Sequence, residues 1–197
     1  MNAPELAAQL AVAGLRYRSM IDTTVPLLPP TLANLAPFSP ADGEIPGGFQ
    51  LEFDDPDLVE RANTGWHEWC LKRGVFDERR DFLVAVRISD RDYWWARVEL
   101  DDPWDIMGAG AAGILGIRRG FPRFTMMSLD GTAIISGTDW EIGVGCICAL
   151  NPQDVPKFRA FVESWADLEP PASFHREAAI RWLEAGRPKP APTTDLA

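Results

Sequence analysis

Apolar residues recur along this chain with two periods, about 3.6 and 2, and each change of period marks a new element. Between residues 4 and 20, Leu6, Leu10 and Tyr17, with Ala13 between, fall at helical spacing, and Pro4 suits a first turn, so a helix is predicted there. A second is predicted over 56–73, where Leu58, Val59, Ala62, Trp66, Trp69 and Cys70 form one stripe and Gly74 supplies the stop. Two more close the ordered region. One covers 155–165, with Val155, Phe158, Phe161, Val162 and Trp165 on one face; the other covers 173–185, between Ser173 and Gly186. Residues 103–118 also read as a helix, although Gly108, Gly110, Gly113 and Gly116 would each cost about 1 kcal/mol relative to alanine in a helix interior.

Period-two alternation predicts strands over 81–88 and 93–100, joined by the polar turn Ser89-Asp90-Arg91-Asp92. Phe82, Val84, Val86 and Ile88 share a face of the first, and Trp94, Ala96, Val98 and Leu100 a face of the second. Residues 124–129 and 132–136 read as a hairpin about Asp130-Gly131, residues 49–53 as a short strand, and 140–150 as a longer one. In the last, Gly143 and Gly145 leave one face bare, which predicts the close approach of another backbone, assigned to the 104–118 segment. Asp55-Pro56, Asp102-Pro103 and Asn151-Pro152 each follow a strand and read as helix openings, with a capping oxygen before a proline that gives up no needed N–H.

Segregated strands and helices imply an α+β fold. The expectation is a mainly antiparallel sheet of about five to six strands, packed by N-terminal, central and two C-terminal helices. Three segments follow: 1–48 as a helix and an apolar, proline-rich arm, 49–186 as one domain, and 187–197 as a proline-rich tail. The arm carries Leu27, Leu28, Leu32 and Phe38 among its prolines, so it is expected to lie extended on an apolar surface, its own or a neighbour's.

Charge narrows the partners. With 29 acidic against 19 basic residues the net charge is −10, which opposes nucleic acid and anionic membrane and leaves protein partners, self or dedicated and including basic ones. The acidic start lacks a signal-peptide pattern, no long apolar run is present, and three cysteines cannot all pair, so the cytoplasm, or an assembly built there, is the expected location.

No cofactor is expected. Residues 108–113 match G-x-G-x-x-G, but seven residues separate them from the preceding strand and Asp101, Asp102 and Asp105 would repel a pyrophosphate. Cys146 and Cys148 sit among apolar neighbours and read as core thiols. His67, Glu68 and Cys70 share a helical turn, yet Cys70 belongs to the apolar stripe, where a thiol is unreactive. Asp54, Asp57, Asp101 and Asp105 follow strands; they would serve a metal-dependent hydrolase if they converged, and helix capping if they did not. Tyr93, Trp94 and Trp95 are consecutive on a strand, so they cannot all face one side. Tyr93 and Trp95, flanked by Arg91 and Arg97, have the composition of an interface hot spot, unless helices cover both faces of the strand. The function read from these features is non-enzymatic protein binding, as a subunit of a phage- or injection-machine-like particle or as an immunity-type inhibitor of a basic toxin.

Overall fold

Gly14 decides how the chain begins. It adopts a left-handed φ of 77°, and a β-carbon there would collide with the backbone of Pro103 and Trp104. Helix α1 (Ala3–Ala11) therefore stops short of the predicted end, and strand β1 (Leu15–Met20) follows. Asn2 caps α1, accepting a hydrogen bond from the Glu5 N–H while the Glu5 carboxylate accepts one from the Asn2 N–H. The structure is a computed structural model, and it describes residues 1–22, 24–40, 47–76, 78–88, 92–170 and 173–186.

The architecture is α+β, as expected, but the sheet is larger. Its strands are β1, β2 (Gly47–Glu52), β3 (Asp81–Arg87), β4 (Tyr93–Leu100), β7 (Phe124–Met127), β8 (Ala133–Asp139) and β9 (Gly143–Leu150). Their order is β1-β4-β3-β7-β8-β9-β2, seven strands with every pairing antiparallel. The added strand is β1, which pairs with β4; a register shift between Tyr17 and Ser19 breaks its alternation. A two-stranded ribbon of β5 (Gly116–Arg118) and β6 (Phe121–Pro122) lies apart from this sheet.

Both faces of the sheet carry a core. On one, Phe82, Val84, Val98, Met126, Ile135 and Cys146 meet α1 and the long helix α3 (Leu58–Arg73), whose Trp66 is fully buried against Phe76 and Phe82. Gly74 ends α3 in the left-handed conformation predicted for it. On the other face, Leu83, Trp95, Met127 and Ile134 lie under α4 (Pro156–Leu168) and α5 (Phe174–Ala185), through Phe158, Val162, Ala179 and Trp182.

Leu28, Leu32 and Ala36 complete that second core. The 21–48 segment is thus not a single extended arm over its described residues: Pro30–Ala33 is the short helix α2 and Ala36–Phe38 a 3-10 turn, both lying on the chain's own sheet. Residues 3–38 share their cores with the rest of the chain. The tail 187–197 and Ser89, Asp90 and Arg91 of the predicted turn lie outside the described residues.

The 103–118 helix is replaced by a single π-helical turn, Ile106–Gly110. Asp105 organises it, accepting hydrogen bonds from the Gly108 and Ala109 N–H groups at 2.8 Å each and from Asn63 Nδ2 at 2.7 Å. Gly108 carries no β-carbon because one would overlap that carboxylate. The proline pairs mark turns rather than caps. Asp55 accepts from the N–H of Asp57, the residue just before α3, Asp102-Pro103 is a cis peptide before the π turn, and Asn151 precedes the 3-10 turn Pro152–Asp154 without a side-chain cap.

The glycines of β9 do admit a close backbone, but it belongs to β2: a β-carbon on Gly143 or Gly145 would overlap the carbonyl oxygen of Leu51 or Phe49. Gly145→Val is therefore expected to lower stability by ~1–3 kcal/mol, the usual range for overpacking. A melting temperature equal to the wild type would contradict this packing.

Candidate functional site

Strand register sorts the second face of the sheet into two halves of opposite character. Residues paired across strands share a face, and so do residues two apart along one strand. Leu83 pairs with Arg97 and with Met127, and Met127 with Ile134; apart from Arg97, which is ion-paired with Asp81, this end is apolar and lies under α4 and α5. Toward the other end Arg87 pairs with Tyr93 and Thr125 with Ser136, followed on β8 by Thr138. These residues line an open cleft.

The cleft has two neighbouring hollows, of about 730 Å³ and about 480 Å³, which share Ala85, Tyr93 and Arg123 in their lining. The first is walled by Met1, Val12, Ile114 and Ile117, the second by Pro30, Thr31, Asn34 and Phe38. Its rim is apolar: Met1, Val12, Phe38, Tyr93 and Ile117 are between 38% and 60% exposed, well above what large apolar side chains show in a core. Its floor is polar. Thr125 and Ser136 are buried with their hydroxyl oxygens 3.4 Å apart, and the Thr31 hydroxyl is enclosed with no hydrogen-bond partner among the described residues. Arg123 donates to Asp139 at 3.2 Å from the cleft's edge.

Two of the residues expected at an interface, Tyr93 and Phe38, come together on this rim. Others do not. Trp95 is 5% exposed, and its indole N–H donates to the Leu28 carbonyl at 2.8 Å. Leu27, Leu28 and Leu32 are buried beside it, so none of these four side chains is presented by the free chain; β4 is covered on both faces here. Arg97 is committed to an ion pair with Asp81, and Arg91 lies outside the described residues.

Asp101, Asp102 and Asp105 have separate partners. Asp101 pairs with Arg16 and Asp102 with Arg80, each at 2.5 Å, while Asp105 caps the π turn. Burial raises the Asp105 pKa, but the Asn63 bond, the two backbone N–H groups and Arg119 outweigh it and hold the carboxyl below its ordinary value. Asp54 and Asp57 line a surface hollow with Asp55, which pairs with Arg61. Among the described residues no three His, Cys, Asp or Glu side chains group closely enough to hold a metal ion.

Cysteine chemistry has no better footing. Cys70 and Cys146 are fully buried, which pushes both thiols well above their usual range, and burial raises Cys148 to about 11. His67 stacks on Trp104 at 5.1 Å, so its ring serves the core. Among the described residues no helix is long and apolar enough to cross a membrane.

Sequence reading missed Arg87, Arg123, Thr125, Ser136, Thr138, Val12 and Ile117. The signal was present in β7 and β8, where Arg123, Thr125 and Met127, and Ile134, Ser136 and Thr138, alternate onto one face that turns from polar to apolar along its length. The chain matches no protein-family model, no curated protein and no solved structure.

Beside the cleft, Tyr93 also borders a small apolar pocket closed by Trp94, Phe174 and His175. The His175 side chain is 12% exposed, and neither ring nitrogen has a hydrogen-bond partner among the described residues. Burial lowers its pKa below 6.5 against the pull of Asp92, 4.0 Å away. The folded state therefore prefers the neutral ring. The stability this contributes is full above about pH 6.5 and is lost as pH falls through the lower, folded value. His175→Gln is expected to flatten the fall of melting temperature between pH 7 and pH 5 relative to the wild type. An unchanged slope would contradict the buried neutral ring.

Proposed function

We propose that this chain is a non-enzymatic binding protein that docks another protein on the open half of its sheet face. One observation carries the reading: five exposed large apolar side chains, Met1, Val12, Phe38, Tyr93 and Ile117, surround one arginine-bearing cleft. Aromatic and arginine side chains around a concave centre are what protein interfaces enrich, and a few such residues carry most of the binding energy. A floor built on a seven-stranded hydrogen-bonded sheet lowers the ordering cost of binding. Two biological settings fit this role. One is a subunit of a larger, phage- or injection-machine-like assembly; the other is an immunity-type inhibitor that occludes a partner's working surface.

The test compares capture of a partner by the wild type, by a Tyr93→Ala/Ile117→Ser variant, and by a Leu168→Ser control. Leu168 is 84% exposed on α4, apart from the cleft. The double variant is expected to lose affinity for the captured protein by roughly tenfold or more while the control keeps it. Equal affinity for all three, or loss in the control alone, contradicts docking at the cleft.

A further inference from the structure

We infer that the partner segment received by this cleft is an extended acidic peptide, anchored by a carboxylate on Arg87; the inference rests on the docking reading above. Its first support is an exception in how arginines are used. Arginines elsewhere pair with carboxylates, as Arg16 and Arg80 do, donate to carbonyls, as Arg159 and Arg176 do, or lie over rings, as Arg73 and Arg118 do. Arg87 has no such partner among the described residues. In a chain with 29 acidic residues, that guanidinium lines the cleft with no carboxylate partner among the described residues.

The lining supports the same sign. No aspartate or glutamate is among the described residues that line either hollow, although the net charge is −10. The charged side chains among the described lining residues are Arg87 and Arg123, the latter paired with Asp139, so the lining itself carries no negative charge. It disfavours the basic partner that net charge alone suggests, and it attracts an acidic one.

Desolvation turns attraction into selectivity. While the cleft is open, water solvates Arg87 at no cost. Once a partner covers it, the guanidinium needs a carboxylate in the matching fork geometry, because a covered, unpaired charge is penalised. A neutral segment of the same shape would leave it unpaired.

The shape favours an extended chain. The two hollows share Ala85, Tyr93 and Arg123 in their lining, so a segment rising about 3.3 Å per residue and lying over Tyr93 would reach both. Thr138 and Asn34 offer a hydroxyl and an amide to its backbone, and the apolar rim receives side chains on either hand.

The test titrates the full chain, labelled with ¹⁵N, with acetyl-Leu-Asp-Phe-Glu-Leu-amide and with its neutral counterpart acetyl-Leu-Asn-Phe-Gln-Leu-amide. The acidic peptide is expected to shift the Arg87 Nε–H and Tyr93 signals saturably, and to bind roughly tenfold more tightly than the neutral one. Arg87→Gln should erase that difference, and Arg87→Lys should keep part of it, with amide signals away from the cleft unchanged in both. If both peptides bind the cleft equally, docking stands and acidic recognition is overturned. If neither moves a cleft signal, both are overturned. If inorganic phosphate displaces the acidic peptide at equal concentration, the site is one for small anions and the peptide occupant is overturned.

Discussion

A strand shows alternate side chains to opposite faces, so a single broad sheet has two surfaces to cover, and helices are the covers this chain has. One face is covered by α1, α3 and the π turn, which bury an apolar set running from Leu100 on β4 to Cys146 on β9. The other is covered by α4, α5 and the 27–36 segment only over Leu83, Trp95, Met127 and Ile134. Where that cover stops, the same face turns to Arg87, Thr125, Ser136 and Thr138. The change from apolar to polar along the strands matches the limit of the helices, and the cleft is what remains beyond it.

The walls of the cleft depend on two local devices. Gly14 turns the chain from α1 into β1 and brings Val12 toward the rim. Asp105, held by Asn63 of α3, shapes the π turn from which the chain continues to Ile114 and Ile117 on the same wall. A helix through 103–118 would have carried these residues along a straight axis; the turn lets them fold back, with Gly120 N–H bonded to the Met107 carbonyl at 2.8 Å. On the opposite side, Trp95 ties the 27–36 segment to the sheet through Leu28, which sets Pro30, Thr31 and Phe38 as the other wall.

Much of this was legible in the order of residues, and the failures share a cause. The strands β3, β4, β7, β8 and β9 declare themselves because their alternation is long and regular, and α3, α4 and α5 because their stripes are clear. Strand β1 was hidden because Tyr17 also continues the helical spacing of Leu6 and Leu10, and a register shift interrupts its alternation. After α1 comes the left-handed Gly14, where the distant Pro103 and Trp104 leave no room for a β-carbon. The π turn depends likewise on Asn63, 42 positions from Asp105. For the site, Tyr93 and Phe38 were legible as exposed aromatics, whereas Trp95 was not separable from them. Its burial depends on where the 27–36 segment and α5 come to rest, which local periodicity does not encode.

The central claim is that one sheet face is closed over Trp95 and open over Tyr93. Oxidative footprinting of the dilute chain, read residue by residue by mass spectrometry, tests it most directly. The account predicts rapid labelling of Tyr93 and Phe38 and strong protection of Trp95, even though tryptophan reacts more readily than either. Labelling of Trp95 at the rate of Tyr93, or protection of Tyr93 and Phe38 together with it, would contradict the account.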